Sequence, residues 1–269
     1  AVNALTSATS VTVTAVPKDN TAIVTINGIV TAAGQGRSVA LGSPGSTTTI
    51  LIVVETLNGL ETTYTVTVTR LLSSDNNLSA LSVTPGSLAS AFTSSTLDYT
   101  VNVATNVTSV TVSATKSDPN AVMTGDVPNQ GQTTIQLDGP GTSKVISAIV
   151  TAPNGDSKTY RITVNRAASS DDTLSTLTVT ANAVVQPLVP DFNASILPYA
   201  VNVATTVDQV IVAATKSDLN AVMLIGSVTV PAGTASGQET FPLGGPGTQT
   251  VVSISVTAQS GGLPKTYTI

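Results

Sequence analysis

The chain has 269 residues, 41% of them hydrophobic but only 9% charged and 3% aromatic, with no His, Cys or Trp. Those absences exclude Ser-His-Asp and Cys-His nucleophile pairs, Cys/His zinc sites, the usual haem ligands and any disulfide framework. Ten Lys+Arg against fifteen Asp+Glu, a net charge of -5 with no two basic residues adjacent, argue against nucleic acid as a partner, and no apolar run approaches the roughly 18–20 residues of a membrane-spanning helix.

In chain order, the segments alternate β-branched apolar residues with Thr, Ser or Asn, the pattern of strands with one packed face and one wet face. Val11-Thr-Val-Thr-Ala15 is the first clear strand; Asn27-Gly28 and Asn58-Gly59 are hairpin signals, and Thr63-Tyr64-Thr65-Val66 belongs to a closing strand that reaches Arg70. Leu71 to Asn77 then forms a short linker. A second series runs from Leu78 through the Pro85-Gly86 turn, Phe92, strands at Val101–Val103 and Val110–Ala114, turns at Gly139-Pro140-Gly141 and Asn154-Gly155, and a closing strand Tyr160–Val164 before Arg166. Ala167 to Thr173 is the second linker. The third series starts at Leu174 and passes Gly245-Pro246-Gly247 and the strand Val251–Val256 to Tyr267-Thr268-Ile269. No segment carries a helical apolar period.

These series are copies of one another. Tyr99-Thr-Val-Asn-Val-Ala-Thr105 returns as Tyr199-Ala-Val-Asn-Val-Ala-Thr205, Ala114 to Met123 returns as Ala214 to Met223, and Val2 to Val11 aligns without a gap on Val101 to Val110. A period of roughly 100 residues, with about seven short strands in each, predicts an all-β chain of tandem immunoglobulin-like antiparallel β-sandwiches arranged as an extended rod. The expected division is an incomplete repeat at 1–70 lacking its first strand or strands, a linker at 71–77, a complete repeat at 78–166, a linker at 167–173, and a repeat at 174–269 lacking the end of its last strand. Ala1 aligns with Thr100 and Ile269 with Ile162, the placement that a window on a longer array would have; the alternative is that a neighbouring chain supplies the missing strand.

The second copy carries Leu78-Ser-Ala-Leu81-Ser-Val83-Thr-Pro85-Gly86-Ser-Leu88, Phe92, Tyr99-Thr-Val-Asn-Val103, Val150-Thr-Ala-Pro-Asn-Gly155 and Lys158-Thr-Tyr-Arg-Ile-Thr-Val-Asn-Arg166. At these residues the sequence resembles the bacterial cadherin-like β-sandwich domain family. The third copy departs from the pattern at Ala181-Asn182-Ala183, where the Pro-Gly turn belongs, and inserts four residues before Phe192. The resemblance implies a module used in tandem on secreted and cell-surface bacterial proteins, as spacer or adhesive element, with no catalytic residues to carry over.

Candidate sites are few. Asp75, Asp171 and Asp172 lie in the linkers, where a calcium ion would stiffen a rod, although a hard cation requires six to eight oxygens and the ligand motifs of true cadherins are missing; the alternative is a solvated hinge with Asx turns. Asp19, Asp118 and Asp218 recur after the Val-x-Val-x-Ala strand and read as turn residues. Lys116 and Lys216 fall in turns by the same reading, which leaves no buried amine for an isopeptide link. Glu55, Glu61 and Glu239 share no repeat position, so paired carboxylates for glycoside hydrolysis are absent and no enzyme is expected. Tyr64, Tyr160 and Tyr267 share one repeat position and are expected in the core or in a tyrosine corner. The functional expectation is a structural part of an extracellular bacterial surface assembly (fibre, sheath or surface layer) that self-associates and needs no cofactor. The alternative is an adhesin, a module that binds carbohydrate or a host protein through variable loops at Asn182 to Pro190 and Pro231 to Gln238.

Overall fold

The computed structural model describes residues 1–269 and contains twenty-two strands and no helix. Three separate hydrophobic clusters divide these strands into three successive units.

The first unit holds β1 (Val2–Ala4), β2 (Ser10–Thr14), β3 (Ile23–Ile26), β4 (Ile29–Val30), β5 (Gly36–Ala40), β6 (Thr47–Glu55) and β7 (Glu61–Arg70). One sheet has the order β1-β7-β6-β3-β4, and the facing sheet is the pair β2-β5 alone. The second unit holds β8 (Leu78–Thr84), β9 (Asp98–Val103), β10 (Ser109–Lys116), β11 (Val122–Gly125), β12 (Gln132–Gln136), β13 (Ser143–Thr151) and β14 (Ser157–Arg166). Here β12-β10-β8 faces β11-β13-β14-β9. The third unit holds β15 (Leu174–Ala181), β16 (Val184–Gln186), β17 (Gln209–Lys216), β18 (Val222–Ile225), β19 (Val228–Val230), β20 (Ser236–Pro242), β21 (Ser253–Thr257) and β22 (Lys265–Thr268), with β16-β15-β17-β20 against β19-β18-β21-β22.

The alternation in sequence becomes alternation in burial. Along β9 every second residue, Tyr99, Val101 and Val103, is buried while Asp98, Thr100 and Asn102 face water; period two leaves no other choice once one face packs. In β10 the inward residues are Val110, Val112 and Ala114, and across the sheet they meet Ile146, Ala148 and Val150 of β13 and Tyr160, Ile162 and Val164 of β14 in one cluster. Ala148 lies opposite Tyr160 in the β13–β14 register, a small side chain beside a large ring. The equivalent cluster of the third unit is built from Val210, Val212, Ala214, Ile254, Val256 and Tyr267. Phe92 and Phe192 are only partly buried and pack against their clusters.

The departure of the third copy at Ala181-Asn182-Ala183 forms a two-residue hairpin. Asn182 (φ 48°) and Ala183 (φ 63°) both lie in the left-handed region that a type I′ turn demands, and the inserted residues add β16 as an edge strand on β15.

Candidate functional site

Main-chain bonds at equivalent repeat positions fasten the joints between the three units. Each linker of seven residues is fastened at both ends by the same main-chain bonds. In the first, Leu71 N–H donates to Ala4 O at 2.9 Å behind it, and Ser73 O accepts from Asn154 N–H of the next unit at 3.0 Å. In the second, Ala167 N–H donates to Val103 O at 2.9 Å and Ser169 O accepts from Ser260 N–H at 2.8 Å. Ala4 and Val103 occupy the same repeat position, as do Asn154 and Ser260 in the β-turns that follow β13 and β21. Gln259 bridges the second joint further: its Oε1 accepts from Ser169 N–H at 3.1 Å and its Nε2 donates to Pro140 O at 2.8 Å.

The linker acids belong to this fastening. Ser73 Oγ accepts from Asp75 N–H at 3.2 Å, and Asp75 Oδ1 accepts from Asn77 N–H at 3.0 Å and from Asn77 Nδ2 at 2.7 Å. At the second joint Ser169 Oγ accepts from Asp171 N–H at 3.2 Å, and Asp171 Oδ1 accepts from Thr173 N–H at 2.9 Å and from Thr173 Oγ1 at 2.6 Å. These are Asx turns, in which a short carboxylate replaces the backbone acceptor that an irregular segment lacks. Nowhere do three acidic side chains converge. Asp75 stands at one joint and Asp171 and Asp172 at the other, and the Oδ1 of Asp75 and of Asp171 already holds a main-chain donor; a calcium shell of six to eight oxygens would need further oxygens beyond these carboxylates.

Beyond the linker, a tyrosine takes over. Tyr160 Oη accepts from Leu78 N–H at 3.2 Å and donates to Ser94 O at 2.8 Å, and Tyr267 Oη accepts from Leu174 N–H at 3.2 Å and donates to Ala194 O at 2.9 Å. Both rings are buried, and burial pushes the Tyr160 phenol above its ordinary value, against the opposing hydrogen bond from Leu78. Tyr64, at the same repeat position, is exposed and bonds to nothing. An arginine locks the other end of the closing strand: Arg70 donates to Thr6 O and Gly42 O, both at 2.9 Å, and Arg166 to Thr105 O and Asp138 O, both at 2.8 Å.

Asp19, Asp118 and Asp218 accept from the N–H two residues on, at Thr21, Asn120 and Asn220. For Asp118 the Ser73 hydroxyl of the linker is the chief influence holding the carboxyl below its ordinary 3.8, with the Asn120 N–H next. Lys216 corrects the expectation of a lysine in a turn. It ends β17, is only 4% exposed, and its ammonium donates to Ala221 O at 2.5 Å and Pro231 O at 2.9 Å. Lys116 ends β10 in the same way and donates to Ala121 O and, at 3.0 Å, to Asn129 Oδ1. Turn carbonyls directed inward need a donor with reach, and an unbranched lysine provides three hydrogens on a long stem. Glu55 and Glu61 oppose each other across β6 and β7, and Glu239 caps the β18–β19 turn through Ser227 and Val228.

A cavity of about 450 Å³ lies in the third unit among Val201, Val203, Val212, Pro246 and Ile269. In the second unit the last residues of β14, with Val164 buried, run through the corresponding space alongside β9. The sequence carries Asn-x-Ser/Thr sequons at Asn77, Asn106 and Asn193; Asn106 and Asn193 are exposed, whereas Asn77 is tied to Asp75 and Lys158.

Among solved structures the chain is similar to protocadherin gamma B7 extracellular cadherin domains 1-4 (10% identity, all of this chain and 73% of that one, TM-score 0.31). It is also similar to Sidekick-1 immunoglobulin domains 1-4 (9% identity, 99% and 72%, TM-score 0.28) and to the SGBP-B protein of a Bacteroides ovatus mixed-linkage glucan utilization locus, solved with a heptasaccharide (14% identity, 99% and 64%, TM-score 0.20). No curated protein matches it. The cadherin-like beta sandwich domain, by contrast, matches three times in tandem, at residues 1–71, 78–167 and 174–269. The chain therefore belongs to the cadherin-like beta sandwich domain family, which it carries as consecutive copies over nearly its whole length.

Proposed function

We propose that this chain is a load-spacing stretch of an extracellular surface structure, in which cadherin-like sandwiches are joined end to end and associate laterally into a fibre, sheath or layer. One observation carries the reading. Both joints use the same bonds at the same repeat positions, the first linker residue reaching back and the third reaching forward. A seven-residue Ser/Asp/Asn-rich segment would otherwise be a flexible tether, and binding it at both ends gives each sandwich a set orientation on the last. The same joint repeated along an array yields a semi-rigid rod. The low charge of the strands supports lateral packing, since few ions must be desolvated when two such faces meet.

Negative-stain microscopy and small-angle scattering of the purified chain test this together. Straight particles of uniform length that associate into regular bundles are the expected result. Particles with a broad spread of inter-unit angles would overturn the rod, and monomers that bind a glycan array would favour an adhesive module.

A further inference from the structure

The two joints share their main-chain fasteners but not their side chains. In each, the first linker residue is held to the unit behind and the third to the unit ahead, so Leu71 and Ser73 are anchored at the first joint and Ala167 and Ser169 at the second. With two soft dihedrals per residue, any swing between consecutive units falls on the residue between the anchors, Leu72 or Ala168.

At the second joint a glutamine spans that residue. Gln259 stands in the turn after β21; its Oε1 accepts from Ser169 N–H at 3.1 Å and its Nε2 donates to Pro140 O at 2.8 Å. The second of these bonds runs from the third unit to the second without using the linker, and no hydrogen bond of that kind connects residues 1–70 to residues 78–166. The amide lies on Gly141, where a Cβ would stand 2.7 Å from Nε2. Ser169 is buried, so its N–H depends on this acceptor.

Each of these groups has a counterpart at the first joint. Pro44 and Gly45 correspond to Pro140 and Gly141, and Ser73 to Ser169. Val122 pairs with Thr151 as Val222 pairs with Thr257, which places Pro153 where the third unit has Gln259. The pyrrolidine ring has no polar atom with which to reach Ser73 N–H or Pro44 O. The place on Gly45 is taken instead by Leu72, whose Cδ2 would stand 2.8 Å from a Cβ there and whose side chain is exposed. An aliphatic contact is non-directional and lets the two surfaces slide. The Ser73 hydroxyl acts on Asp118 of the second unit, which adds nothing between Leu72 and the first unit.

We propose that Gln259 is an interdomain clasp, and that its replacement by Pro153 at the first joint makes Leu72 the bend of the rod. Resting on the reading of the chain as a rod, this assigns its two joints unequal stiffness. The second and third units form one stiff arm, and the first unit swings against it.

Because the chain has no Cys, spin labels can be placed in pairs at Ser38, Thr134 and Thr240, exposed residues at one repeat position in β5, β12 and β20. Pulsed electron double resonance on the intact chain should give a Ser38–Thr134 distance distribution about twice as wide as that of Thr134–Thr240. Gln259→Ala should widen the second distribution to match the first. Leu72→Ala combined with Pro153→Gln copies the second joint into the first and should narrow the first distribution. A second distribution unmoved by Gln259→Ala would overturn the clasp. Two narrow distributions in the parent chain would overturn the bend and leave the rod standing, whereas two broad ones would overturn both.

Discussion

Tyr160→Phe removes one oxygen that serves the start of β8 and the turn at Ser94 at once. The Leu78 N–H that donates to it belongs to a residue with no exposed surface, so water cannot replace the lost acceptor; the Ser94 carbonyl on the other side lies in an exposed segment and can turn to solvent. A buried donor left unpaired costs about 1–3 kcal/mol, and with the carbonyl rehydrated the net loss is about 2 kcal/mol. Each 1.4 kcal/mol is a factor of ten, so amides of β13 and β14 in the intact chain should exchange roughly thirtyfold faster. Tyr64→Phe is the internal control, because the same substitution at the same repeat position removes a hydroxyl with no partner and should change exchange in β6 and β7 by less than about twofold. Hydrogen exchange read by mass spectrometry reports each unit separately, which a single melting curve of three units does not. Equal effects of the two substitutions, or less than threefold for Tyr160→Phe, would refute the assignment of the hydroxyl as the tie between linker and core.

Ala183→Gly should stabilise the third unit by about 0.5–1 kcal/mol, because a Cβ at φ 63° costs more than the extra unfolded-state freedom of glycine; urea unfolding followed at β15 and β16 measures it. Lys216→Ala should cost the third unit about 2–3 kcal/mol by stranding the Ala221 and Pro231 carbonyls, read as faster exchange in β17 and β18. Asp126 Oδ2 accepts from Ser147 N–H at 2.7 Å and Ser147 Oγ at 2.8 Å, and these bonds hold its carboxyl below the ordinary 3.8. Below that value the unfolded chain binds more protons than the folded one, so the second unit should lose stability as pH falls through the depressed value, while Asp126→Asn flattens that slope in a pH series of melting curves. Chelation of divalent cations should leave melting unchanged, since Asp75 and Asp171 already hold main-chain donors; a fall in melting temperature would show that Asp171 and Asp172 gather a cation after all.

Much of the fold was legible because the copies check one another. Period-two alternation marks β9, β10 and β14, and the recurrence of Tyr in all three closing strands, with Arg70 and Arg166 ending the first two, marks the ends of a unit. The joints were only half legible: the acids and serines of the linkers stand out, but the partners that complete the fastening, Asn154 and Ser260, sit in turns about eighty to ninety residues further on, where nothing local distinguishes them. Lys216 misled for a similar reason. Its neighbours Ser217-Asp218 read as a turn, and only the packing of that turn back over β17 directs the carbonyls of Ala221 and Pro231 toward its ammonium.

Composition, repeat and alternation by themselves determined an all-β chain of successive sandwiches, because strand period and turn chemistry are local properties of the backbone. Tertiary structure alone decided what the tyrosines of β14 and β22 do. Tyr160 and Tyr267 each accept the N–H of the first residue of β8 and β15, Leu78 and Leu174, and a ring becomes such a tie through pairing between residues that lie more than eighty positions apart in the chain.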